Sequence, residues 1–233
     1  MIEIIAEIGQ NHNGDMCLAR DLICAAKEAG ADVAKFQIFD ARALFSKNGN
    51  PWYEYNLKTE LTERQVVELA AECRRVGIEF MASVFDPVRV GWLEELKVKR
   101  YKVASCSIRN EKLLQALTAT AKPLIVSLGQ WNEPRFPAIA TDARVDFLYC
   151  VSKYPTPLSD VHLSGVDFTR FAGFSDHTVG INASVAAMAR GARIIEKHFT
   201  LDRNTYGPDH ICSMSPEELR DLCRIRNELR QIL

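Results

Sequence analysis

Residues 1–39 run MIEIIAEIGQNHNGDMCLARDLICAAKEAGADVAKFQIF. The apolar run at 2–8 has the length and composition of a strand, and the polar, glycine-containing QNHNGD that follows cannot continue it. Residues 17–29 then place Leu18, Leu22, Ile23 and Ala26 on one face at helical spacing. Asp15 stands where an N-cap accepts the first free amides, and Gly30 stands where a helix ends. Residues 32–39 predict a second strand. Strand, helix and strand in succession make a β–α–β unit, the building block of a parallel sheet.

Outward from this unit the pattern repeats. Further strands are predicted over 78–85, 101–105, 123–128, 145–151, 171–175 and 193–199. Helices are predicted over 61–76, 86–96, 111–120, 181–190 and 215–232, with Asp86 and Pro87 suited to a cap and a first turn. Residues 132–142 read as a weak, proline-broken helix or loop, and 158–168 as another weak crossover. Eight strands in 233 residues fit an α/β chain folded as a (β/α)8 TIM barrel, which typically takes about 250 residues. An open doubly wound sheet is the rival, and eight units would make it large. With no linker, low-complexity tract or composition break, 1–233 reads as one barrel domain. Two long polar connections, 40–60 and 200–214, follow strands and are expected on the C-terminal face, where barrel enzymes carry their active sites.

Composition narrows the class. Hydrophobic residues make up 47% and charged residues 25%, which excludes a disordered chain or a disulfide miniprotein. Lys+Arg total 29 against Asp+Glu 30, so neither a nucleic-acid nor a membrane-surface role is supported. The 7 cysteines contain no C-x-x-C pair and read as reduced thiols. The N-terminus carries acids where a secretion signal carries bases, and no apolar stretch is long enough to span a bilayer, so a cytoplasmic location is expected.

The strand ends carry the chemistry. Strand one ends with Glu7, then Gln10, Asn11 and His12. Lys35 and Gln37 lie two apart on strand two and point to one side. Ser83 and Asp86 end strand three. Lys102, Ser105 and Ser107 follow on strand four, Ser127 and Gln130 on five, Cys150, Ser152 and Tyr154 on six, Ser175, Asp176 and His177 on seven, and Glu196 and His198 on eight. Buried and unpaired, such groups would cost several kcal/mol each, roughly, so their convergence implies a polar ligand. Two inward lysines with several serines suit a phosphate and a carboxylate. His177 and His198 close neighbouring strands and could share one divalent ion with positions left open for substrate. Glu196 and Asp209 are acid–base or sugar-binding candidates, and Glu196 could equally be a lysine's ion-pair partner. Cys106, Cys150 and Cys212 read as small apolar fillers.

Seven stretches in this order, AEIGQNHNGD, VAKFQ, YKVAS, VSLG, YPTP, GFSDHTVG and EKHFTLDRNTYGPDHICSM, span residues 6–214. They resemble the sialic acid synthase family, with its legionaminic and pseudaminic acid synthases and spore-coat polysaccharide relatives. The resemblance implies a TIM-barrel transferase that condenses phosphoenolpyruvate with an N-acetylated amino-sugar aldose, giving a nonulosonic acid and phosphate. It implies a divalent cofactor, Mn2+ first, with Mg2+ or Co2+ as alternatives, held by His177 and His198. Lys35, Lys102, Ser105, Ser127, Ser152 and Ser175 fall where the family binds phosphoenolpyruvate. Gln37, Tyr154 and Asp209 fall at the acceptor sugar, and Glu7 matches an active-site glutamate; Glu7, Asp209 and Lys102 are the catalytic candidates.

Three departures accompany the resemblance. Many members carry a C-terminal antifreeze-like domain whose arginine reaches a partner's acceptor pocket, and this sequence ends at Leu233 without one. Ser107 stands at an acceptor position where a glutamate is usual. Ser152 replaces a common asparagine. The acceptor site is therefore expected to differ, while the metal and phosphoenolpyruvate sites look whole. Two alternatives stay open: a synthase for a phosphorylated aldose, with Arg42, Lys47, Arg109 or Arg203 for the distal phosphate, and a silent barrel that only binds phosphoenolpyruvate or sugar. A homodimer through the barrel helices is the expected assembly.

Overall fold

Each apolar run becomes one stave of a closed parallel barrel in the computed structural model, which describes residues 2–232. The staves are β1 (Glu3–Gly9), β2 (Val33–Ile38), β3 (Glu79–Val84), β4 (Tyr101–Val103), β5 (Leu124–Ser127), β6 (Val145–Cys150), β7 (Gly173–Asp176) and β8 (Ile194–His198). They pair in sequence order, and β8 closes against β1 with Ile5 opposite Glu196 and Glu7 opposite His198. The expected TIM barrel is therefore the observed fold.

Six helices pack outside as crossovers or as the closing element: α1 (Met16–Glu28), α4 (Glu63–Val76), α5 (Pro87–Glu95), α6 (Glu111–Ala119), α7 (Asn182–Ala189) and α8 (Pro216–Ile232). Their starts follow from local chemistry. Asp15 accepts from the amides of Cys17 and Leu18, Asp86 from Arg89 just after Pro87, and Asn110 from Leu113. Thr62 and Gln65 form a reciprocal capping box on α4. Two short helices, α2 (Ala41–Leu44) and α3 (Tyr53–Thr59), lie within the long 40–60 connection.

Two weak crossovers resolve against helix. Residues 132–142 are irregular, because Pro134 and Pro137 interrupt the backbone hydrogen bonds a helix needs. Aromatic side chains cover the barrel there instead: the Phe136 ring sits 4.8 Å from both Phe147 and Phe171. Residues 158–168 form two 3-10 turns, Leu158–Asp160 and Leu163–Gly165, which bury Val161, Val166 and Phe168.

Strand alternation layers the interior. Ile5, Val33, Met81, Ile125, Leu148 and Ile194 form an apolar floor. Two residues further along the strands, Glu7, Lys35, Ser83, Ser127, Cys150 and Glu196 face the same interior, now polar. The fold thus lifts the chemistry to the C-terminal end.

His12 belongs to the framework. It is buried in the β1–α1 turn, its Nδ1 accepts the Gly14 amide at 3.1 Å, and its ring lies 6.2 Å from Phe36. Burial pushes its pKa from the usual 6.5 down to about 4. Between those values the unfolded chain holds the extra proton, so stability falls as pH drops through that window, by roughly 2–3 kcal/mol. Urea unfolding at pH 7 and pH 4.5 should show this loss in the wild type and a smaller one in His12→Asn. Equal losses in both would remove His12 as the cause.

Candidate active site

Four charges occupy the polar layer. Lys35 Nζ lies 2.7 Å from Glu7 Oε2, donates to Ser83 Oγ at 2.9 Å and sits 3.6 Å from Glu196 Oε2. Lys102 Nζ lies 3.5 Å from Glu196 Oε1 and donates to the Val103 carbonyl at 3.1 Å. Glu196 therefore stands between the two ammonium groups, and Ser175 donates to it at 3.1 Å. Both lysine side chains are only 2% exposed, so their charges need internal compensation.

The titration directions follow from this arrangement. Burial alone would depress Lys35, but Glu196 and Glu7 outweigh it and hold Lys35 above the usual lysine value. Burial pushes Lys102 below that value; Glu196 offsets part of the effect and Lys35 adds to it. Burial opposes ionisation of Glu196, yet Lys102 and Lys35 hold its carboxyl at about 2.

Geometry leaves Lys102 with donors to spare. Charge-assisted N–H···O bonds run about 2.7–2.9 Å, and an ammonium has three donors. Lys102 makes one bond and one longer ion contact, both beyond that range. Ser127 Oγ and Ser152 Oγ are buried without protein partners. Gly129 keeps the space beside them open, since a Cβ there would meet Ser152 Oγ at 2.4 Å and Cys150 Sγ at 2.8 Å. Ser105 Oγ donates toward Cys150 Sγ at 3.6 Å and accepts the Gly129 amide at 3.0 Å. The result is a narrow cavity of about 50 Å³ bordered by Lys35, Lys102, Ser105, Ser127, Ser175 and both histidines.

His177 and His198 face each other with ring centroids 5.7 Å apart, and the Tyr154 ring packs 4.1 Å from His177. His177 Nδ1 lies 3.0 Å from the Val151 carbonyl, which fixes that nitrogen as the proton carrier and turns Nε2 free. His198 Nδ1 is buried without a hydrogen-bond partner and lies 3.9 Å from Asp209 Oδ2. Among the described residues no set of three His, Cys, Asp or Glu converges on one point. Two imidazoles with an unpartnered buried nitrogen fit a divalent ion whose other positions are left to water and substrate.

Above this lies a wider cavity of about 660 Å³, walled by Leu44, Phe45, Trp52 and Phe85, with Gln10, Gln37, Asn50, Asn56, Tyr154, His198 and Asp209 supplying polar groups. It is built largely from the two long connections, which clasp each other where Trp52 and Tyr55 meet Tyr206 at 5.2 and 5.9 Å.

The structure gathers Glu7, Lys35, Gln37, Lys102, Ser105, Ser127, Ser175, His177 and His198 around the inner cavity, with Tyr154 and Asp209 on its outer side. Ser152 lies against Gly129 and borders neither cavity. Ser107 is also set apart. It is buried in the 3-10 turn Ser105–Ser107 and borders neither cavity, and Cys106 faces the outer one instead. The strand ends at Val103, and a 3-10 turn has about three residues per turn, so the acceptor position that the family resemblance gave Ser107 is not on the cavity wall.

Sequence reading counted Asp176 among the strand-end groups converging on a ligand and passed over Lys197; the two instead precede the histidines on the outer face of the strands. Both side chains are 0% exposed, with Lys197 Nζ 3.2 Å from Asp176 Oδ2. Lys197 donates to the Thr178 carbonyl at 2.6 Å, and Asp176 accepts from Ser184 Oγ at 2.6 Å and the Thr178 amide at 2.8 Å. This pair locks the ends of β7 and β8. The signal was available: a charged residue between two inward-facing positions must point into the helix layer.

Residues 22–233 match the NeuB family. The chain belongs to this family. A relative named N,N'-diacetyllegionaminic acid synthase, from Legionella pneumophila, is 38% identical over 259 aligned residues, covering 99% of this chain and 72% of its own length. Human N-acetylneuraminate-9-phosphate synthase is 35% identical, covering 95% and 68%. The solved N-acetylneuraminic acid synthetase of Leptospira borgpetersenii superposes with a TM-score of 0.89 at 32% identity, covering 99% of this chain and 84% of that one. The family resemblance read from the seven sequence stretches is thereby borne out. No helix among the described residues is long and apolar enough to cross a membrane.

Lys197→Met in this NeuB-family barrel strands the Asp176 carboxylate, and breaking a buried pair this way costs about 3–5 kcal/mol. Chemical denaturation should show that loss, with most of it recovered in the Asp176→Asn/Lys197→Met double variant. A loss under about 1 kcal/mol would show that the pair contributes little.

Proposed function

We propose that this protein joins phosphoenolpyruvate to the aldehyde of an N-acetylated amino sugar, forming a nonulosonic acid and releasing phosphate. One observation carries the reading: two buried lysines, Lys102 with donors to spare, stand beside a pair of facing imidazoles, directly beneath a sugar-sized cavity. Lys35 and Lys102 bind the phosphate and carboxylate, with Ser105, Ser127, Ser152 and Ser175 as neutral donors. Gln37, Tyr154 and Asp209 orient the acceptor so that its aldehyde carbon meets C3 of phosphoenolpyruvate.

The C3–C1 bond forms from the enol π pair, and the aldehyde oxygen takes a proton. Water adds at C2, and cleavage of the C2–O bond expels phosphate and leaves the ketone. Asp209, at the mouth beside His198, is placed to pass a proton at the aldehyde oxygen. Glu7 accepts from Gln37 at 3.0 Å and from Lys35, and so ties the acceptor-binding amide to the anion-binding lysine. His177 and His198 would hold a divalent ion, Mn2+ by preference, which supplies Lewis-acid polarisation of a carbonyl. The fixed charges of Lys35, Lys102, Glu7 and Glu196 cancel, so a doubly charged cation there also offsets the anionic substrate.

Phosphate release from phosphoenolpyruvate should require both Mn2+ and a free N-acetylhexosamine. His177→Ala and His198→Ala should each lower it more than about 100-fold, since loss of even an outer partner of a metal ligand costs about 10–100-fold. Stoichiometric phosphoenolpyruvate binding with no sugar-dependent release would contradict the synthase and favour a silent binding barrel.

A further inference from the structure

We propose that Asn13, in the turn between β1 and α1, is a positioning residue that sets Asp209 for proton transfer at the acceptor aldehyde. The inference rests on the synthase reading above, in which Asp209 passes that proton. Apart from Gln10, the QNHNGD turn lends no side chain to either cavity among the described residues. It grips both long connections that wall the outer one instead. Asn13 Nδ2 donates to the Tyr206 carbonyl at 3.2 Å, which fixes the amide and turns Oδ1 the other way. Oδ1 accepts from the Tyr55 hydroxyl at 2.6 Å and lies 3.3 Å from His210 Nε2. An amide oxygen only accepts, so His210 Nε2 carries a proton and donates this bond.

His210 is buried, and its Nδ1 lies 2.8 Å from the Thr200 hydroxyl. Both ring nitrogens are engaged, so the ring keeps one orientation, and with it the start of the 3-10 turn His210–Cys212 that Asp209 precedes. Asn11 holds the same turn from its other end. It donates to Ser213 Oγ at 2.9 Å, and Ser213 Oγ donates to the Asp209 carbonyl at 2.7 Å. The Asp209 carboxylate therefore reaches the cavity mouth from a backbone held on two sides, 3.9 Å from His198 Nδ1. Two backbone features fit this role. Asn13 has φ 51°, in the left-handed region that asparagine tolerates better than most side chains. Gly207 lets the rings close, since a Cβ there would meet the Tyr55 hydroxyl at 2.6 Å and His210 Cδ2 at 2.7 Å. Loss of the Asn13 side chain frees the His210 ring, and a misplacement of about 1 Å at a reacting group costs up to about 100-fold in rate.

The test measures phosphate release and calorimetric phosphoenolpyruvate binding, with Mn2+ and free N-acetylhexosamines supplied. Asn13→Gly removes the side chain and leaves a residue that accepts the left-handed backbone. Its kcat should fall at least about tenfold, by more than KM for the sugar rises, while phosphoenolpyruvate affinity stays within about twofold. His210→Gln, which keeps a donor near the Nε2 position, should retain most of kcat, whereas His210→Leu should lose as much as Asn13→Gly. The Asn13→Gly/His210→Leu double variant should be no slower than either single one, because the two residues act as one unit. Unchanged kcat in Asn13→Gly, a loss confined to KM, additive losses in the double variant or a matching loss of phosphoenolpyruvate binding overturns the inference and leaves the synthase reading intact. Absence of sugar-dependent release by the wild type overturns both.

Discussion

Two lysine charges inside a barrel are the constraint on which the rest depends. An ammonium group 2% exposed in an apolar interior is sustainable only with carboxylates within ion-pair reach. Glu196 answers for both lysines and Glu7 for one. That requirement fixes the register: Glu7 must face Lys35, and Glu196 must stand where β8 meets β1 and β7. It also explains the floor, since an apolar layer beneath the ladder excludes water and keeps the charges strong.

A second layer of constraint lies outside the strands. Successive strand residues alternate between inside and outside, so fixing Asp176 and Lys197 among the helices fixes Ser175, His177, Glu196 and His198 toward the ligand. Elsewhere the outer wall is looser. The described residues joining β5 to β6 form no helix, and Phe136, Phe147 and Phe171 pack together there instead. The inner cavity is therefore held rigidly, while the outer one depends on two long connections clasped through Trp52, Tyr55 and Tyr206.

Much of this was legible in the sequence because barrels obey a two-residue period. Lys35 with Gln37, Glu196 with His198 and Ser175 with His177 could be placed on one side from spacing alone. What escaped lies where the period stops. Ser107 was expected at the acceptor and sits inside a 3-10 turn, with Cys106 in its place. The connection at 40–60 read as a polar loop, yet it folds into two short helices that bring Phe45, Trp52 and Asn56 to the cavity. No local pattern predicts which loop residues meet across space. The Asp176–Lys197 pair was hidden for another reason: charge in a strand drew attention inward, and these two charges point outward.

If the proposed function holds, the lysine–glutamate ladder is the anion-binding site for phosphoenolpyruvate. Its most direct test is calorimetric titration of phosphoenolpyruvate into wild type, Lys35→Met and Lys102→Met across pH, with Mn2+ present. Either variant should bind at least about 100-fold more weakly, as expected when a partner of a buried charged hydrogen bond is removed. Wild-type affinity should also fall with rising pH as Lys102, held below the usual lysine value, loses its proton before Lys35. Affinity unchanged by both substitutions would mean that the buried charges only hold the barrel together.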